Sequence, residues 1–295
     1  MKKTEKFKAA MFDFDGTVTE KGSISPSDEM VNVLYKLAQK VPVAFCTGRQ
    51  KDSFEEHGLK IILSKIEPAR RQEFLENLYL IAENGSIGYV FDSGIDEYKE
   101  FYKVPWPEQL VERKWLMDKL AELTQGFGKV HYDKHQVVVV IGSNRHDEDK
   151  KENNKIEDVY ETSDKIYDVT IKLLKEISPN YADFVNIGNS GIGVVIIPKN
   201  GDKDFGIFKF GELLKETRGM SFDAKFSEIL VVGDRPQLGG NDHEFLKGTY
   251  GTPYNVGEDI VDAKLPLDVY DKNGKKLLNA PATIFLIKEL FNSID

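Results

Sequence analysis

A short apolar run, Phe7 to Phe12, stops at Asp13-Phe14-Asp15-Gly16-Thr17, and no other feature restricts the fold as much. An apolar run of this length, interrupted only by Lys8, reads as a strand buried on both faces, and such strands belong to parallel sheets covered by helices on either side. Two carboxylates directly after a buried strand are costly without a cation, so the run reads as a strand that delivers charge to a site. Pro26 then opens a helix. From Ser27 to Lys40 the apolar residues Met30, Val31, Val33, Leu34, Leu37 and Ala38 recur at helical spacing, and Val41 to Cys46 is strand-like again. A helical stretch around Asp52 to Leu78 and a third strand, Tyr79 to Ala82, ending at Glu83-Asn84-Gly85, continue the alternation.

Beyond Gly85 the texture changes. Ser86 to Asp92 and Glu97 to Val104 read as adjacent strands joined by a Ser93-Gly94 turn, which interrupts the parallel pattern. A helix (Pro107 to Thr124), two strands (Lys129 to His131 and Gln136 to Ile141), a second helix (Glu157 to Ile177) and two more strands (Phe184 to Ile187 and Gly193 to Ile197) follow. The dense charge cluster His146 to Asp158 reads as a solvated loop. The core resumes with a helix from Asp204 to Glu216, a strand from Glu228 to Val232 and a terminal helix from Pro281 to Phe291. The expected fold is therefore α/β: a doubly wound, Rossmann-like parallel sheet core, residues 1–85 and 199–295, with an inserted α+β cap domain, residues 86–198. Hinges are expected near Gly85 and Asn200-Gly201.

At 295 residues the chain is long enough for about two domains. With 49 acidic against 40 basic residues the formal charge is -9, which gives no general attraction to nucleic acid or to anionic membrane. Any phosphate needs a local trap. The single cysteine, Cys46, makes no internal disulfide, and Asp13 cuts short the apolar stretch that a signal peptide would need, so a reducing cytoplasm is the expected setting. The longest apolar runs, Val137 to Ile141 and Val194 to Ile197, fall far short of a membrane span. His131 and His135 are expected to flank a hairpin turn and share no helix face, which argues against a metal pair.

Four polar clusters sit at the ends of core strands or at the start of a core helix, where open α/β sheets place their ligands. In Asp13-Phe14-Asp15 one acid can act as nucleophile while the other handles protons, provided a cation keeps the first ionised. Thr47-Gly48-Arg49 combines a hydroxyl, a permissive backbone and N–H groups at a helix start, which makes an anion cradle. Lys203 begins the helix after Gly201-Asp202. Asp234 follows Gly233, with Gly239-Gly240-Asn241-Asp242 close behind. Carboxylates from two strand ends, Asp13 and Asp234, suit a hard oxygen-ligated ion such as Mg2+.

In these clusters the chain resembles the haloacid dehalogenase superfamily of phosphotransferases: Asp-Phe-Asp-Gly-Thr looks like its first motif, Thr47 its second, Lys203 its third, and Asp234 with Asp242 its fourth. The insert, together with Glu83-Asn84-Gly85, resembles the type-two α/β cap of the sugar-phosphate phosphatase branch. The resemblance implies that Asp13 forms an aspartyl-phosphate while Asp15 protonates the leaving oxygen and then activates water. Mg2+ would be held by Asp13, the backbone carbonyl of Asp15, and Asp234. Thr47, Gly48 and Lys203 would bind the phosphoryl oxygens, and Asn241 and Asp242 would complete the shell around metal and lysine. Arg49 and Asn84 would touch substrate or brace the hinge. The expected function is Mg2+-dependent hydrolysis of a small phosphorylated metabolite, with sugar phosphates as the expected class.

Two rivals accompany this expectation. Gly233 to Glu244 looks like the fourth motif of eukaryotic-type phosphomannomutases, and Pro198 to Lys203 like their lysine segment, which raises a phosphohexomutase using the same Asp13. Against it, Phe45-Cys46-Thr47-Gly48-Arg49 has the phosphatase form, and the insert lacks an arginine-rich segment to grip a second phosphate. A non-catalytic phosphometabolite-binding protein is the other, and the full set of Asp13, Asp15, Thr47, Lys203 and Asp234 argues against it.

Overall fold

The computed structural model describes residues 6–131, 135–142, 156–261, 263–291 and 294. In chain order, the first stretch forms β1 (Ala9–Phe12), α1 (Asp28–Ala38), β2 (Val43–Cys46), α2 (Lys51–Phe54), a π-helical turn (Glu55–Leu59), α3 (Lys60–Ser64), α4 (Arg71–Glu76), β3 (Leu78–Ala82), β4 (Ile87–Asp92) and β5 (Glu97–Lys103). Next come α5 (Arg113–Leu123), β6 (Gly128–His131), β7 (Val137–Ile141), α6 (Ile156–Ile177), β8 (Val185–Asn189) and β9 (Gly193–Pro198). The chain ends with α7 (Lys203–Arg218), β10 (Ile229–Gly233), α8 (His243–Leu246), β11 (Thr252–Asn255), β12 (Leu267–Asp268) and α9 (Asn279–Leu290). These elements divide into two units: Met1–Lys103, Asp202–Leu238 and Asp242–Asp295 form the first, and Val104–Gly201 with Gly239–Asn241 the second.

The first unit is built on one sheet in the order β12-β11-β10-β1-β2-β3-β4-β5, parallel from β12 to β3, with β4 and β5 added antiparallel. Each β1 side chain has a buried place because the two faces pack against different helices. Ala10 and Phe12 join α1 and α9, through residues such as Leu34 and Ile287, while Ala9 and Met11 join α7 and α8 through Ile207, Phe210 and Phe245. Burying a side chain the size of Phe12 contributes about 1.5–3 kcal/mol. Local signals start the helices: the Ser27 side chain accepts from Met30 N at 3.1 Å to cap α1, and Asp202 accepts from Phe205 N at 2.9 Å to cap α7. Strand order reverses at β1, with β2 on one side and β10 on the other, and in such sheets the ligand crevice opens beyond the carboxyl ends of the strands at that point.

The second unit has its own antiparallel sheet, β6-β7-β9-β8. Leu116, Met117 and Leu120 of α5 and Ile166 and Leu174 of α6 form its core with Val137, Val139, Val194 and Ile196. The stretch Gly188 to Gly193 is a hairpin, with Asn189 paired to Val194. Gly240 bridges Asn189 in parallel, so Gly239–Asn241 belongs to this sheet's edge.

Three boundaries differ from the sequence reading. Residues 86–103, assigned there to the insert, form β4 and β5 on the core sheet, because β4 pairs antiparallel with β3 from Ile87 to Val90. The chain passes between units at Lys103–Val104 and Gly201–Asp202, so Gly85 lies inside the first unit, where a Cβ would meet the Asp202 carbonyl oxygen at 2.0 Å. The helical stretch from Asp52 to Leu78 is broken between α3 and α4 by Pro68. The charged stretch beginning at His146 lies outside the described residues as far as Lys155. Among the described residues, no helix is long and apolar enough to cross a membrane.

Candidate active site

The register of β1 assembles the site. Phe12 pairs with Val232 of β10 and with Phe45 of β2, and Asp13 N donates to Val232 O at 2.8 Å, so Asp13, Thr47 and Asp234 all leave the sheet at its carboxyl end. Lys203, the first residue of α7, is 1% exposed, and its Nζ donates to Asp13 Oδ1 and to Asp242 Oδ1, both at 2.6 Å. The other Asp242 oxygen, Oδ2, accepts from the backbone N of Asp234 at 3.0 Å and of Arg235 at 3.2 Å. Asp242 thus ties the loop after β10 to the lysine.

Asp13, Asp234 and Asp242 each bring a carboxylate oxygen within 4.8 Å of the others. Glycines make this convergence possible: Gly16 stands at φ +83° with space for a Cβ only 2.5 Å from Asp234 Oδ2, and a Cβ on Gly257 would lie 1.7 Å from Asp234 O. Burial and then the Asp242 charge push Asp13 up to about 7, against the pull of Lys203. Asp234 is raised well above the ordinary carboxylate range by burial, by Asp242 and by Asp13. Burial works against the Lys203 charge, but Asp13 and Asp242 outweigh it and hold the ammonium above its usual range. Three acids with one lysine leave negative charge uncompensated, and an all-oxygen donor set of this kind fits a hard divalent cation such as Mg2+.

Thr47 and Gly48 are backed by the turn after β3. Asn84 N donates to Thr47 O at 2.9 Å, Glu83 N donates to Arg49 O at 3.0 Å, and a Cβ on Gly48 would lie 3.2 Å from the Asn84 amide. Glu83, Asn84 and Gly85 all have positive φ, a conformation that costs non-glycine residues strain and turns the chain sharply against the Thr47 loop. Asn84 therefore braces the core in the first unit. Asp15 is not in the carboxylate cluster: its side chain turns to Arg49, with Arg49 Nη2 donating to Oδ1 at 2.6 Å and Nε to Oδ2 at 3.1 Å. Nor does the structure gather Asn241 into it, since Gly239–Asn241 packs with the second unit, where Asn189 N donates to Gly239 O at 2.7 Å. Gly257 escaped the sequence reading. The signal was the short strand β11 before it, hidden by Pro253 and by the glycines at 248 and 251.

A further buried acid lies one residue beyond Lys203. Asp204 accepts from Tyr250 N at 3.4 Å and is pushed up to about 7, chiefly by burial, with Lys247 pulling the other way and Asp202 adding to the rise. An unfolded aspartate ionises near 3.9, so this group favours the folded state least once pH has passed through about 7 and imposes no penalty below about 4. Asp204→Asn is therefore expected to gain stability over the parent progressively between pH 4 and 7, with the gain constant above. Urea midpoints of both proteins at pH 4.5 and 8 measure this, and an equal difference at the two values would contradict it.

The architecture is an α/β fold with a Rossmann-like sheet core and a second unit that carries its own antiparallel sheet. No protein-family model and no curated protein sequence matches the chain. Solved structures do. The N-terminally truncated IMP-nucleotidase of Plasmodium falciparum aligns with 98% of this chain and 71% of its own at 14% identity and a TM-score of 0.57. Its IMP-bound form aligns with 96% and 68% at 15% identity and a TM-score of 0.59. The C-terminal domain of trehalose-6-phosphate phosphatase from C. albicans aligns with 97% of this chain and 92% of its own at 16% identity and a TM-score of 0.58. At these identities the likeness is one of fold.

Proposed function

We propose that this chain is a Mg2+-dependent phosphatase of a small phosphorylated metabolite, with sugar phosphates as the substrate class and the cytoplasm as its setting. The observation that carries the reading is the convergence of Asp13, Asp234 and Asp242 around the buried Lys203 at the carboxyl end of β1. Phosphoryl transfer asks mainly for positioning and charge neutralisation, and these residues supply both. Asp13 Oδ attacks phosphorus as the ester P–O bond breaks, Asp15 gives a proton to the leaving oxygen, and Asp15 then takes a proton from the water that hydrolyses the aspartyl-phosphate. Lys203 holds the Asp13 carboxylate in place and, with Thr47 and Gly48, receives the phosphoryl oxygens. Asp13, Asp234 and the backbone carbonyl of Asp15 would hold Mg2+, with Asp242 as the brace behind them. The bound cation supplies positive charge that keeps Asp13 ionised and offsets the phosphoryl oxygens. The second unit is assigned the selection of substrate.

A phosphate-release screen over sugar phosphates including trehalose 6-phosphate, nucleotides including IMP, and phosphoglycosides, with and without magnesium, tests the reading. Release is expected from at least one sugar phosphate and only with the metal. No release from any compound, or release that chelation leaves untouched, overturns it. Isomerised sugar phosphate formed faster than free phosphate, with activation by a bisphosphorylated sugar, would put the phosphohexomutase in its place.

A further inference from the structure

We propose that Arg49 is a positioning residue that aims Asp15, and that the π-helical turn Glu55–Leu59 serves to hold Arg49 in that task; this rests on the reading of Asp15 as the proton-transferring acid. All three guanidinium nitrogens of Arg49 are engaged. Nε and Nη2 grip both oxygens of Asp15 at 3.1 and 2.6 Å, and Nη1 donates to the His57 carbonyl at 3.0 Å. A planar fork on a carboxylate fixes its orientation and holds the base form that takes a proton from water; when Asp15 carries the proton for the leaving oxygen, one of its two oxygens leaves the fork. The backbone of Arg49 is pinned too, since its N donates to Thr47 Oγ1 at 3.2 Å and its O accepts from Glu83 N at 3.0 Å.

The π turn gives this clamp its geometry. Lys60 N donates to Glu55 O, a five-residue spacing that widens the helix where His57 O meets Arg49. Such single turns recur at functional sites. Gly58 within it lets the turn lie close: a Cβ there would meet the Phe54 ring at 3.0 Å and Phe14 at 3.4 Å. Phe14, the residue between the two acids, packs edge-on against Phe45 and Phe54 at 5.5 and 5.0 Å and lies 5.4 Å beneath the Arg49 guanidinium. One rigid aromatic platform thus carries Asp13 and Asp15 on its flanks and Arg49 above. Asp15 is thereby kept apart from the three-carboxylate cluster, on the more exposed side where a leaving group would depart: its side chain is 38% exposed against 5% for Asp13.

A double-mutant cycle on the full chain decides the matter, with steady-state kinetics on p-nitrophenyl phosphate and on the best alkyl phosphate of the screen. Asp15→Asn is expected to cost 100-fold or more on the alkyl ester. Arg49→Gln is expected to lower kcat on it about 100-fold, with KM and inhibition by inorganic phosphate unchanged. The loss is smaller on the aryl ester, whose leaving group needs less proton donation. The double variant should be no slower than Asp15→Asn alone, because the arginine acts through that carboxylate. Arg49→Lys keeps the charge without the fork, and as a second, milder variant it should fall between the parent and Arg49→Gln. Losses that multiply in the double variant, or a raised KM and weakened phosphate inhibition in Arg49→Gln, would make Arg49 a phosphate ligand and overturn the proposal. An Asp15→Asn protein as active as the parent would remove the reading of Asp15 itself, and the proposal with it.

Discussion

Asp13→Asn is expected to lower phosphate release by at least about 1000-fold while leaving the protein folded, the scale at which removal of a catalytic nucleophile is felt. The amide is nearly isosteric with the carboxylate and keeps an oxygen for the Lys203 hydrogen bond, which spans 2.6 Å in the parent, but it is a poor nucleophile. In the metal-free protein the exchange also removes an acid that burial and Asp242 push up to about 7, so the variant should melt no lower than the parent at pH 8. Circular dichroism melts and single-turnover assays separate the two effects. Turnover near the parental rate would exclude Asp13 as the attacking group. A melt lowered by many degrees would mean that its charge supports the fold.

Lys203→Met carries the largest expected cost in stability. The ammonium is 1% exposed and sits between Asp13 and Asp242, so its loss leaves two buried carboxylates facing each other. Breaking a buried pair in this way typically costs about 3–5 kcal/mol, more than the apolar replacement returns. Magnesium should recover part of the loss, since it neutralises the same acids. Adding Asp242→Asn should recover part without metal, because the new amide can donate to Asp13 while its oxygen still accepts from Asp234 N and Arg235 N. Denaturant midpoints with and without magnesium give the result. A metal-free Lys203→Met protein as stable as the parent would show that these carboxylates do not depend on the lysine.

Much of the first unit was legible from local pattern. The runs ending at Phe12, Cys46 and Val232 are β1, β2 and β10, because a strand buried on both faces has to be apolar throughout and its first polar side chain marks where it leaves the sheet. Lys203 was readable from its place after Gly201-Asp202, and Asp202 proves to be the cap that starts α7 there. Strands β4 and β5 were recognised as strands but placed in the insert, since nothing local says which sheet an antiparallel hairpin joins. Strands β11 and β12 were not recognised at all. Each is very short, and β11 carries Pro253 in a glycine-rich stretch that reads as loop.

Within the site, the convergence of Asp13, Asp234, Asp242 and Lys203 was expected from the chain, while the turning of Asp15 away to Arg49 was not. Asp13 and Asp15 stand two apart, yet one meets Lys203 and the other turns to Arg49. That division depends on the pairing of Phe12 with Val232, on the space left at Gly16 and Gly257 for Asp234, and on a π turn that brings His57 O to the arginine. Residue type and periodicity determined where strands end and which side chains there carry charge, because both follow from burial and hydrogen bonding within a few residues. Which of those charges share a space is decided by contacts across some two hundred residues of chain, as between Asp13 and Lys203, and only the folded arrangement brings such groups close enough for Coulomb forces and desolvation to act.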